Sequence, residues 1–144
     1  MKEIDHSIDK SVEEQIKEFS TGELIEQLFK ENKELAELGV KTPISSIAHG
    51  AVICGFLYED RRIPGANKVL KDTPMNYFMA LVSSQPDLLK LPLDKFQKLG
   101  GAVSRIAMAT DVLIGKEGPF RWPIELTENP QWQVPKTNIA KNIK

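Results

Sequence analysis

The sequence predicts an all-α protein, a single-domain bundle of about five helices carrying an extended C-terminal tail. Three observations predict it. Apolar residues recur every three or four positions along most of the first 115 residues, and helix start and stop signals bracket those runs. From Gly115 onward the period vanishes, and four prolines and both tryptophans gather instead. The expected organisation is therefore a helical domain over 1–115 and an extended arm over 116–144.

Each element has its own signal. Ile4, Ile8, Val12, Ile16 and Phe19 form one stripe, which predicts a weak, peripheral amphipathic helix over 1–19. Ser20 with Glu23 forms a capping box for a second helix, whose Leu24, Leu28, Leu35 and Leu38 repeat at helical spacing and which Gly39 closes. Thr42 and Pro43 supply an N-cap and a first-turn proline for a third helix running to about Asp60. Pro64 and Gly65 mark a loop, after which Thr73 and Pro74 repeat the same start signal for a fourth helix, ended by Pro86. From Asp94 to Ile114, Phe96, Leu99, Val103, Ile106, Thr110 and Leu113 step by three and four, the seam of a helix packed lengthwise against its neighbours.

Composition narrows the class. With 144 residues and 41% hydrophobic content the chain is sized for one core. The single Cys54 excludes an intramolecular disulfide, and its apolar neighbours point to a buried thiol in a reducing compartment, the cytoplasm. The acidic start does not match a secretory signal, and the run Ile44 to Tyr58 is shorter than the roughly 20 residues needed to cross a bilayer, so no membrane association is expected. Formal net charge is −1, yet residues 1–38 hold five Lys against eleven Asp and Glu while the rest of the chain is basic. The acidic segment is expected to fold against that basic remainder rather than recruit a basic partner.

The most singular stretch is Ala48 to Phe56, "AHGAVICGF". His49 stands with Val52, Ile53 and Phe56 at i, i+3, i+4 and i+7, so it shares an apolar face and reads as a structural histidine. Cys54 points elsewhere, His6 is the only other histidine, and no metal site or nucleophile–base pair can be assembled, so no catalytic residue, metal or cofactor is expected. Ala48, Ala51 and Gly55 form a strip of small residues, and Gly100, Gly101, Ser104 and Ala107 form another. Glycine within a helix costs about 0.5–1 kcal/mol relative to alanine, so the two strips predict a compensating close crossing, within a chain or between two copies.

Two further groups bear on partners. Arg61 and Arg62, with Lys68 and Lys71, are the candidate phosphate contacts, although Glu59 and Asp60 adjoin them and no nucleic-acid-binding motif is present. Phe120, Trp122 and Trp132, separated by prolines, are candidate anchors of an arm that lies on a partner; the alternative is a tail wrapped over its own core.

Residues 80–103, "ALVSSQPDLLKLPLDKFQKLGGAV", resemble the short conserved region of phage tail assembly chaperones. Leu91, Pro92, Leu93, Asp94 and Phe96 occupy the matching positions. That resemblance implies a small non-catalytic protein that binds another phage protein before or during assembly. The residues and the resemblance lead to one expectation: a non-enzymatic interaction or assembly protein acting through helix faces and the C-terminal segment, with a protein partner or self-association. The alternative is a nucleic-acid-binding accessory protein using the basic loop 61–71. A small helical enzyme or ligand carrier is the third reading.

Overall fold

A computed structural model describes residues 3–5, 7, 10–55, 68–118 and 120–133, with backbone alone at 55, 68–72 and 133. It shows five α-helices: α1 (Val12–Lys17), α2 (Thr21–Glu37), α3 (Ile44–Gly55), α4 (Lys68–Ser84) and α5 (Leu93–Glu117). Short 3-10 turns follow at Pro86–Lys90, Ile124–Thr127 and Pro130–Gln133, and no strand occurs among the described residues. The all-α class is as expected.

Helix boundaries follow local chemistry. In α2, the Ser20 Oγ accepts from the Glu23 N–H and the Glu23 carboxylate accepts from the Ser20 N–H, completing the capping box. At its other end Gly39, with φ of +92°, lets Val40 N–H reach the Leu35 carbonyl at 2.9 Å while its own N–H reaches that of Ala36 at 3.1 Å. That pair of bonds satisfies carbonyls the helix leaves open.

The first helix is shorter than the apolar stripe predicts. Ser11 and Glu14 form a second capping box, which starts α1 at Val12. Upstream, Asp5 Oδ1 accepts from both the N–H and the hydroxyl of Ser7, a local turn that competes with helix. The Gln15 side chain then pairs with Asp5 as a peptide group would, accepting from its N–H at 2.7 Å and donating to its carbonyl at 2.8 Å. Among the described residues the expected helix over 1–19 is thus found only at Val12–Lys17, six residues long, with Asp5 anchored to Gln15 ahead of it.

The fourth helix starts earlier than Thr73 and Pro74 predict, at Lys68, and contains Pro74 in its interior. Thr73 does not cap; it is buried and hydrogen-bonded to the Asp111 side chain, so a tertiary partner takes the hydroxyl. Pro92 precedes α5, and Asp94 contributes negative charge to the first turn instead of an N-cap bond. The helix continues past the expected boundary to Glu117, and Gly118 at φ +73° ends it, donating its N–H to the Ile114 carbonyl at 2.8 Å.

The helices pair antiparallel. Thr21 hydroxyl donates to Glu117 at 2.6 Å and Arg105 pairs with Glu31, which sets α2 against α5 in opposite directions. Thr42 meets Ser84 at 2.9 Å, and a Cβ on Gly50 would lie 3.1 Å from the Ala80 Cβ, which sets α3 against α4 in the same way. The Gln85 side chain clamps the connection between α2 and α3, accepting from Lys41 N–H and donating to the Gly39 carbonyl. The core runs through the centre, with Leu24, Leu28, Ile47, Leu81, Leu99 and Ile106 excluded from solvent. All members of the predicted α5 seam are buried except Phe96, which is half-buried and meets Phe78 edge-on at 5.5 Å.

Candidate interaction groove

Along α3 the buried positions are Ile44, Ile47, Ala48 and Ala51, one helical stripe facing α4. This corrects the expected orientation: His49 is exposed, Val52 is 71% exposed and Ile53 also lies open to solvent. Phe56, the fourth member of the expected face, lies outside the described residues. The physical reason is that nearly every α3 residue is apolar or small, so periodicity alone does not choose a face. Close approach does, because Gly50 lets α3 come down on Ala80 of α4.

The same contact corrects the predicted helix crossing inside the chain. Ala48 and Ala51 turn to the core, but the glycine in tight contact is Gly50, and its neighbour is α4. A Cβ on Gly100 would meet nothing within 4 Å, and one on Gly101 would meet only the Arg105 side chain. Gly100, Gly101 and Ser104 are half-buried on α5, and the side-chain surroundings of Gly55 lie outside the described residues.

Turning His49 and Val52 outward creates a groove of about 740 Å³. One wall is α3, with Ser45, His49 and Val52; the floor is Tyr77 from α4 and Thr110 from α5. Ile114 and the aromatic pair Phe120–Trp122 form the other wall. The two rings sit with centroids 4.9 Å apart and pack on the core from the segment after α5. None of the residues lining the groove is Asp, Glu, Lys or Arg.

The floor is held by satisfied polar groups. Thr110 donates its hydroxyl hydrogen to the Ile106 carbonyl at 2.8 Å, which leaves its oxygen free to receive the Tyr77 hydroxyl. Burial pushes the Tyr77 phenol well above its usual range, so it stays protonated. Next to Thr110 on α5, burial raises the Asp111 carboxyl to about 6 against the opposing effect of its Thr73 hydrogen bond, and the charge of Glu13 on α1 adds to the rise. These four side chains knit α4 to α5 beneath the groove.

No family model, curated protein or solved structure matches the chain.

The predicted partner-binding residues separate into two places. Phe120 and Trp122 belong to the groove wall, whereas Trp132 stands 62% exposed on the Pro130–Gln133 turn beside α2. Up to residue 133 the tail lies on the helical body instead of extending from it: Leu126 is wholly buried and Pro130 is buried as well. Residues 134–144 lie outside the described residues. Of the candidate phosphate contacts, Lys68 and Lys71 fall in the first turn of α4, while Arg61 and Arg62 lie outside the described residues.

Among the described residues no group of three His, Cys, Asp or Glu is placed to hold a metal ion, and no helix is long and apolar enough to cross a membrane. Sequence reasoning missed Tyr77 and Asp111, which carry no motif, and it missed an ion pair on the far side of α5. There Glu31, only 3% exposed, receives Arg105 Nε at 2.7 Å on one oxygen and Nη2 at 3.1 Å on the other. A signal existed: Glu31 fills the vacant step of the stripe Leu24, Leu28, Leu35, Leu38, where an apolar residue would be expected.

Proposed function

We propose that the protein is a non-enzymatic interaction or assembly protein that docks a partner polypeptide in the groove between α3, the end of α5 and the Phe120–Trp122 pair. The observation that carries this reading is the uncharged groove itself, rimmed by Val52 at 71% and Ile114 at 48% exposure. Uncovered apolar and aromatic side chains around a concave surface gain free energy when a partner removes them from water, at about 25 cal/mol per Å² of apolar area. The absence of formal charge on the lining favours an occupant that presents apolar side chains with few charges. The resemblance of residues 80–103 to phage tail assembly chaperones supports phage assembly as the setting.

The test is the native mass of the protein purified from its natural host, compared with a Val52→Glu, Ile114→Glu variant. A mass above that of the 16.2 kDa chain, which returns to the monomer value in the variant while the helical circular dichroism is unchanged, supports the reading. A monomer in both cases contradicts it.

A further inference from the structure

Helix α3 differs from the other four in its chemistry. It alone among the five α-helices contains no Asp, Glu, Lys or Arg along its 12 residues. Its buried stripe, Ile44, Ile47, Ala48 and Ala51, faces the core, so Ser45, Ser46, His49, Val52 and Ile53 carry the outward side. Of these, Ser45, His49 and Val52 stand at i, i+4 and i+7 and line the groove. Large apolar side chains collect around the same helix. Val52, Ile53 and Ile114 are exposed, and Ile124, on the turn that packs beside α3, is 70% exposed.

Charge decides what such a face can meet. A partner of different sequence is steered and selected by charges matched across the interface, and α3 offers none. A two-fold contact sets the opposite demand, because it brings each residue near the axis against its own copy, where a charged group would meet like charge. Helix α3 is the only one of the five that satisfies this along its whole length. The shape is self-complementary as well. Because α3 is the convex wall of a concave groove, a second α3 laid in that groove offers its own groove to the first.

We infer that the occupant of the groove is α3 of a second copy of this chain, the two helices antiparallel about a two-fold axis beside His49, which rests on the reading of the groove as a docking surface. Ser45 of each copy then lies opposite Val52 of the other, and His49, near the middle of the helix, faces its own copy. At 1.5 Å per residue α3 is about 18 Å long. An interface of that length stays below about 1,200 Å² of total buried area, so the dimer is reversible, with a Kd of about 10–100 µM.

The experiment is analytical ultracentrifugation of the full recombinant chain, purified free of other proteins, from about 5 to about 500 µM, a range that spans the expected Kd. The mass should rise with concentration from the 16.2 kDa of one chain toward twice that value. His49 is exposed, so His49→Glu and His49→Lys leave the fold intact, which circular dichroism checks. Each variant alone sets like charges across the axis and should weaken association at least about tenfold. An equimolar mixture of the two sets opposite charges there and should restore it. A parent chain that is monomeric at every concentration overturns the inference, while the mass of the protein from its natural host would still reveal a different partner in the groove. Undiminished association of both variants, or a mixture that associates no better than either alone, overturns it as well.

Discussion

Helix α5 is buried along two flanks that are built on different terms. Toward α2 it is closed by directional pairs: Arg105 grips Glu31 with two hydrogen bonds, and Thr21 reaches Glu117 near the far end of the same interface. Toward α3 it leaves a groove, where Tyr77 and Thr110 satisfy each other at the floor while Val52 and Ile114 remain uncovered at the rim. One flank is joined by an ion pair and hydrogen bonds within the chain, and the other presents apolar surface with nothing of the described chain upon it. The contrast teaches where to look for function, because packing explains the first flank and leaves the second without a structural purpose.

The comparison can be broken first at its strongest point. Arg105→Ala strands the buried Glu31 carboxylate, and removal of one partner from a buried ion pair costs about 3 kcal/mol or more. Guanidinium unfolding should show that loss, whereas the double variant Glu31→Leu, Arg105→Met should recover most of it. An Arg105→Ala variant as stable as the parent would mean that the two flanks do not differ as described.

The next largest effect is expected at Asp111, and it carries a sign. Its carboxyl is raised from an ordinary 3.8 to about 6, so the folded state holds the proton more tightly than the unfolded state does. The stability this contributes is full below about pH 4 and is lost as pH rises through 6. Asp111→Asn keeps an acceptor for Thr73 and removes the buried charge. After allowance for partial solvent exposure, it should stabilise the protein by about 1 kcal/mol at pH 7.5 and by less at pH 5. Equal gains at both pH values would refute the assignment.

Glycines give a finer test. Gly100→Ala meets open space and should raise stability by about 0.5–1 kcal/mol through helix propensity. Gly50→Ala gains the same propensity but places its methyl 3.1 Å from Ala80, so its net effect should fall below that of Gly100→Ala in the same unfolding assay. Smallest of all on stability is Val52→Glu, expected to stay within about 0.5 kcal/mol because the side chain is already in water.

How much of this was legible in the sequence depends on whether the decisive interaction is local. The capping box at Ser20, the left-handed Gly39 and the seam of α5 are set by residues a few positions apart, and each is found where the pattern places it. Helix α3 is the opposite case. Its residues are apolar or small on every side, so the choice of buried face was made by Ala80, thirty positions beyond Gly50. Thr73 read as a helix cap and serves Asp111 instead, again a partner distant in sequence. In the tail, the prolines indicated correctly that regular helix ends, yet they carried no information that Leu126 returns to the core. The Arg105–Glu31 ion pair was invisible for the same reason, since the two residues meet only through the packing of α2 on α5.

The central claim is that the face of α3 bearing His49 and Val52 is a docking surface. A photo-crosslinking residue placed at position 52, in protein expressed in its natural host, tests it most directly against the same residue at position 33, which is exposed on α2 away from the groove. The account predicts one discrete crosslinked product from position 52 and none from position 33. The same product from both positions, or none from either, would contradict it.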